Sequence, residues 1–381
     1  MRRRYTLLPG ALALSLVVAG CTSGGDAQGE ILIGVTIEQS GPSAVLGMAE
    51  LNAIRLVADD INKKGGVLGK RLKLDIKDNR SDANDAKRQV NEFIANERTV
   101  GIVGSGTTAT TLPFADVVEQ KRMPTITMAV ADVIVKNRKF IFKTPPDGTK
   151  FVAVMFDDMA SVGVKKVAAL AVDDQFGDNG LIAVRAATQK RGVGITGIER
   201  FAAKETDFTA QVTRLVQGNP DAILVSAIMP AAGVAAKNIQ QSGYQGRVYF
   251  DGGAGAELFV AGAGKSAEGM FMVHSSILAA NQLTATTPSA LAQKEFFTRY
   301  TQKHSTYSGY ASYSADALSL MVEGIRQAKS TDREKVRDAI ESLSFDGLTG
   351  SFQFGPTNHG GASGDGLTVL TVRKGGWILA Q

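Results

Sequence analysis

From Glu30 onward, short apolar runs alternate with segments whose apolar residues recur every three to four positions. This alternation restricts the chain to a layered α/β fold. Ile31-Leu32-Ile33-Gly34-Val35-Thr36-Ile37 is almost continuously apolar, as a strand buried on both faces of a parallel sheet must be. After the Ser40-Gly41-Pro42 turn, Met48, Leu51, Ile54, Val57 and Ile61 mark one helix face. That helix closes on Lys63, Lys64, Gly65 and Gly66, basic residues and glycines suited to a C-terminus. Leu72, Leu74 and Ile76 alternate as a strand, and a helix over 82–96 and a strand over 100–104 complete the βαβ rhythm. The rhythm restarts after Thr144-Pro145-Pro146. Strands are expected over 167–172, 193–198, 222–227 and 248–251, with helices over 180–191, 208–217 and 232–241. Two similar α/β lobes follow, rather than one long sheet. Residues 289–344 read as mostly helical, with Leu318, Met321, Val322 and Ile325 on one face, and short strands remain around 350–354 and 368–372. Elements that late must join lobes already built, so the chain crosses between lobes more than once.

The N-terminus speaks to location. Arg2, Arg3 and Arg4 precede an apolar run over 7–18 that ends in Val18-Ala19-Gly20-Cys21. The run is shorter than the ~20 residues that span a bilayer. It reads as a signal peptide (1–20) with a lipobox, in which the Cys21 thiol receives a diacylglyceryl group. The alternative is an ordinary cleaved signal that happens to contain a cysteine. Cys21 is the only cysteine, so the mature fold needs no disulfide. Residues 21–30, small and polar, form a tether. The remaining chain of about 350 residues suits two lobes. Formal charge is +5, three of it from the arginines at 2–4, and basic and acidic residues are interspersed. No basic stripe with aromatics is present, which argues against nucleic-acid binding.

Catalytic constellations are scarce. His274, His304 and His359 lack neighbours at metal-ligand spacing, so neither a metal nor a cofactor is expected. Gly-x-Ser-x-Gly is absent, and no dinucleotide fingerprint or Walker lysine is completed. An enzyme reading would need a Ser/His/Asp triad assembled from distant positions, with no local sign of an activated serine. The loop Gly104-Ser105-Gly106-Thr107-Thr108 is more informative, because it joins the end of a strand to the start of a helix. Its N–H groups and hydroxyls suit a bound carboxylate, in the place where ligands bind open α/β sheets. It reads equally as a turn whose threonines cap the helix.

Ile33-Gly34-Val35, Ser40-Gly41-Pro42, Asp60-Ile61-Asn62-Lys63-Lys64-Gly65-Gly66-Val67 and Asp78-Asn79 stand in an ordered series. Gly104-Ser105-Gly106-Thr107-Thr108, Asp174-Gln175-Phe176-Gly177, Asp207-Phe208-Thr209 and Ser266-Ala267-Glu268-Gly269 continue it. The series resembles the leucine/isoleucine/valine-type periplasmic binding proteins from Glu30 to the end. That resemblance implies an α/β type I fold: two Rossmann-like lobes with parallel sheets, joined by three crossovers and closing on ligand. The crossovers should fall near 144–147, 274–276 and 350. The N-terminal lobe is then 31–146 plus 277–349, and the C-terminal lobe 147–276 plus 350–381.

The resemblance also implies site residues. Thr108, with Ser105 and Thr107 in the same loop, matches the hydroxyl residue that holds the ligand carboxylate. Ala129 and Ala131 match a small-residue strand end at the carboxylate and amino group, where the family often has a threonine. Phe176 matches an aromatic cover, Tyr310 an aromatic against the ligand side chain, and Leu46 and Ile228 stand where aromatics are common. The family's ammonium-pairing glutamate aligns with Gly252, leaving Asp251 as the only nearby acid. Its first-lobe disulfide is replaced by Ser81 and Thr107. An ammonium buried without a counter-ion is costly, so the expected ligand is a small hydrophobic or aromatic carboxylate, ahead of a branched-chain amino acid. The implied role is an ABC importer's binding lipoprotein, monomeric, exported, anchored to the membrane through Cys21 and docking on permease subunits. A sensor lipoprotein acting on a membrane receptor is the other role open to this fold.

Overall fold

The computed structural model describes residues 29–380, so Cys21 and the apolar run before it lie outside the described residues. No described helix is long and apolar enough to cross a membrane. The first half begins β1 (Glu30–Ile37), α1 (Ala44–Lys63), β2 (Arg71–Asp78), α2 (Ala83–Ala95) and β3 (Thr99–Val103). It ends with α3 (Thr108–Gln120), β4 (Thr125–Thr127) and β5 (Ile141–Lys143). These strands form one sheet, ordered β2-β1-β3-β4-β5 and parallel throughout. Seven of the eight residues of β1 are buried, as its apolar run requires. α1 turns Leu51, Ile54, Ala58 and Ile61 into the core. It is followed by Gly66 at φ +78°, where a Cβ would stand 2.0 Å from the Lys70 carbonyl oxygen, so only glycine fits.

The chain then builds α4 (Gly148–Ser161), β6 (Lys166–Val172), α5 (Gln175–Arg191), β7 (Gly194–Phe201), α6 (Thr209–Gln217) and β8 (Ala222–Ser226). It continues through α7 (Ala231–Gln241), β9 (Arg247–Phe250), α8 (Glu257–Ala263) and β10 (Phe271–Ser275). Three helices follow, α9 (Pro288–His304), α10 (Tyr310–Ala328) and α11 (Arg333–Glu341). The hairpin β11 (Ser344–Gly347) and β12 (Gly350–Gln353) and then β13 (Leu367–Arg373) and β14 (Gly376–Leu379) close the chain. The second sheet runs β14-β13-β10-β9-β8-β6-β7, with β6 to β10 parallel and β13 and β14 antiparallel at one edge.

α10 packs along α1 of the first lobe, so the late helices return to it. Three stretches therefore cross between the lobes: after β5, between β10 and α10, and after α11. The turn after β10 (276–282) still packs on β13 and β14, so the chain leaves the second sheet later than 274–276. The first and third crossings lie side by side. The Lys143 N–H donates to the His359 carbonyl (3.0 Å), and the Phe142 ring stacks on the His359 imidazole at 4.2 Å.

α5 begins five residues before the expected 180. Asp174 accepts from the Phe176 and Gly177 N–H groups, while Gly177 and Gly180 hide the apolar period from the sequence.

Candidate ligand-binding cleft

The carboxyl ends of both sheets face one another across a cleft of about 570 Å³. That volume is typical of small-molecule sites, and the position is where open α/β sheets bind ligands. The first lobe contributes Leu46 and Glu50 from α1, Thr107 and Thr108 at the start of α3, and Met128 and Val130 after β4. The second contributes Phe176 from α5, Ser226 at the end of β8 and Ile228 just beyond it, and Asp251 and Gly252 after β9. Phe151 and Met155 of α4 and Tyr310 and Tyr313 of α10 complete a mostly apolar wall. Contacts from each lobe span it. The Tyr310 hydroxyl donates to the Gly253 carbonyl, and the Asp132 N–H donates to Asn179 Oδ1 (3.3 Å).

The loop before α3 does hold a carboxylate, but an internal one. Glu38, just past β1, accepts from Ser105 Oγ (2.6 Å), Thr110 Oγ1 (2.5 Å) and the N–H groups of Gly106 and Thr107 (3.2 and 3.3 Å). Ser105 is thus fully buried behind the wall, where it also accepts from Asn79 Nδ2. Thr107 lines the cleft while its hydroxyl caps the Thr110 N–H, so the capping reading fits that residue. Thr108 differs: it is 4% exposed and its Oγ1 has no hydrogen-bond partner among the described residues.

After β4, Met128 and Val130 face the cleft while Ala129 and Ala131 pack into the apolar cluster behind it. An extended segment sends alternate side chains to opposite faces. Ser81 and Thr107, where the family's disulfide would stand, both line the cleft, and Ser81 ties down the neighbouring turn by donating to the Ser40 carbonyl (2.8 Å).

Asp251 stands just past β9 on a second-lobe wall that also carries Asp174 and Glu205. Its Oδ1 accepts from the Gly253 N–H (3.0 Å). Burial pushes its carboxyl up to about 7, against hydrogen bonds from Gly253, Ser226 and Ala227. At Gly252 a Cβ would stand 2.9 Å from the Phe151 ring, so no acidic side chain fits there. On the first-lobe wall the acid is Glu50, 2% exposed. Burial first, and then the carboxyl of Glu38, drive it well above the usual range. Its Oε2 has no hydrogen-bond partner among the described residues, and neither has the Tyr313 hydroxyl. Among the described residues no cluster of His, Cys, Asp and Glu could hold a metal ion.

A family model described as periplasmic binding protein matches residues 30–376. The chain belongs to this family. The leucine-, isoleucine-, valine-, threonine- and alanine-binding protein of Pseudomonas aeruginosa is 26% identical over 357 residues, 90% of each chain. An extracellular ligand-binding receptor from Rhodopseudomonas palustris HaA2 is 27% identical with a TM-score of 0.86, over 92% of this chain and 100% of that one. A leucine binding protein from Thermotoga maritima MSB8, 22% identical, shares the fold with a TM-score of 0.82, over 92% of this chain and 98% of its own. These relatives are solute-binding proteins of an exported family.

Within this periplasmic binding protein, Leu46, Thr107, Thr108, Phe176, Ile228, Asp251, Gly252 and Tyr310 come together on the cleft, and Ser105, Ala129 and Ala131 stand behind it. Sequence reasoning passed over Glu50, Tyr313 and the α4 residues. Glu50 lies one helical turn after Leu46, so a helix placing Leu46 on the cleft carries Glu50 there too. The α4 side chains offered no comparable signal.

Proposed function

We propose that this chain is the exported, Cys21-lipidated binding component of an ABC importer, handing its solute to permease subunits. Its lobes are 31–146 plus 283–349 and 147–282 plus 350–381, and its solute is an α-amino acid with a largely apolar side chain. The observation that carries this reading is the carboxyl of Asp251, set on the cleft wall just past β9. The case for an aromatic acid without an amino group depended on Asp251 being out of reach. With that carboxyl facing the cleft, an ammonium has its counter-ion. A bare carboxylate would instead face acids on both walls, Asp251 and Glu50 among them, with no ammonium to offset them. The Thr108 hydroxyl and the start of α3 take the ligand carboxylate. Leu46, Phe176, Ile228 and Tyr310 cover the side chain. The Pseudomonas relative, whose name lists small and branched amino acids, supports the same class.

The test is a thermal-shift screen of residues 26–381 against apolar amino acids, their des-amino analogues and aromatic carboxylates. A ligand at a hundredfold excess over its Kd adds about 2.7 kcal/mol of stability. Melting should rise with amino acids and stay flat with the analogues. A rise with aromatic or aliphatic acids alone would return the site to the carboxylate reading.

A further inference from the structure

We propose that Glu50 is a specificity-determining residue: it accepts a hydrogen bond from the ligand's side chain and so selects amino acids carrying an O–H or N–H donor there. This rests on the amino-acid reading above.

Two other carboxyls at the carboxyl end of the first sheet are well supplied with donors. Glu38 takes four donors, and Asp78 is held by Gln39 N–H (3.0 Å), Ser40 N–H (3.2 Å) and Ser40 Oγ (2.7 Å). Glu50 is the exception, because its Oε2 is buried on the cleft wall without a partner. Such a group lowers the stability of the free protein, and a partly satisfied polar group in a cleft marks a place where a ligand completes the set. The backbone is shaped around it. At Gly106 a Cβ would stand 2.2 Å from Glu50 Oε2 and 2.4 Å from Leu46 Cδ2. Only the missing side chain lets the carboxyl lie against that loop.

Among the described residues no wall donor bonds that oxygen, and the one basic residue lining the cleft, Lys204, lies in an exposed loop of the second lobe. Both Glu50 and Asp251 act on the Tyr310 phenol, whose pKa burial and then these carboxyls raise. Glu50 stands on the first-lobe wall and Asp251 on the second, so in this proposal the side chain of a ligand held at Asp251 extends past Tyr310 to Glu50. The unpartnered Tyr313 hydroxyl offers the same end of the ligand a further hydrogen bond. The upward shift of Glu50 has the same origin, burial first and then the Glu38 carboxyl.

Matched isosteres decide the matter by isothermal titration of wild type, Glu50→Gln and Glu50→Leu. The pairs are threonine with valine, asparagine with leucine, and ornithine with norleucine. In at least one pair the donor-bearing member should bind wild type about tenfold more tightly than its isostere, the scale of one hydrogen bond to a buried carboxyl. Glu50→Leu should abolish or reverse that ratio. Glu50→Gln should keep it for a neutral donor, through its amide oxygen, and lose it for ornithine. Glu50→Leu should also melt higher than wild type in the absence of ligand, which shows that the variant folds. If all pairs bind but the apolar members bind as well or better, and Glu50→Leu leaves the ratios unchanged, this proposal falls alone. If none of the six amino acids binds, the amino-acid reading falls and takes the proposal with it.

Discussion

Lys143→Met tests how the crossings between the lobes are held. Lys143 is fully buried at the end of β5. Its Nζ lies 2.8 Å from Asp132 and 2.9 Å from Asp147, and donates to the carbonyls of Val130 (3.0 Å) and Pro145 (3.2 Å). One ammonium thus ties the cleft-lining segment after β4 to the first crossing, with the third crossing laid beside both. Burial works to raise both carboxyls and Lys143 opposes it, leaving Asp132 above its ordinary value and Asp147 below. Methionine fills most of the volume but leaves two adjacent carboxylates without a cation.

Breaking a fully buried pair costs about 3–5 kcal/mol. Here the Asp132 and Asp147 side chains are 41% and 34% exposed. Solvent screens part of the loss, and about 2–3 kcal/mol remains. At about 2.1 cal/mol/K of unfolding entropy per residue over about 350 residues, calorimetry should find Tm lowered by about 3–4 °C. The double variant Lys143→Met/Asp132→Asn, which removes one of the opposed charges, should recover much of that loss. An unchanged Tm for Lys143→Met, or a double variant less stable than the single, would refute the idea that this ion cluster secures the crossings.

Two further outcomes follow from the cleft itself. Gly106→Ala drives a methyl into Glu50 and Leu46, and should lower stability by about 1–3 kcal/mol and weaken amino-acid binding, as read by melting and titration. The Asp251 carboxyl sits at about 7 in the free protein, and only its ionised form pairs an ammonium. Affinity for a neutral-side-chain amino acid should therefore level off above about pH 8 and weaken toward tenfold per unit below about pH 6, with proton release on binding. Asp251→Asn should flatten that profile, and a wild-type profile already flat from about pH 5.5 to 8 would contradict the assignment.

Much of this architecture is legible before any coordinates. β1 and β6 are near-continuous apolar runs, and α1 carries an unbroken three-to-four period with a glycine stop. The short β4 and β5 are not legible, because three buried residues carry no period, and β14 is a brief edge strand. At the site, loop residues such as Thr108 and Phe176 follow from their places at strand ends. Ala129 and Ala131 show the limit of that reasoning: in an extended segment a shift of one residue exchanges the faces, and Met128 and Val130 take the wall. The loop before α3 shows another. Its N–H groups suit an anion, but Glu38, distant in sequence, supplies it, and only the packing of β1 beside β3 brings the two together. Asp251 was within view as the nearest acid, whereas its exposure to the cleft depends on how β9 ends under Phe151.

Pairing of a ligand ammonium by Asp251 must appear as coupling in a cycle that crosses the protein change with the ligand change. Titrations would measure L-leucine and 4-methylpentanoate against wild type and Asp251→Asn at pH 8. Wild type should prefer leucine strongly and Asp251→Asn should lose most of that preference, a coupling of about 1.5 kcal/mol or more. Equal preference for leucine in both proteins, or tighter binding of 4-methylpentanoate by wild type, would contradict that pairing.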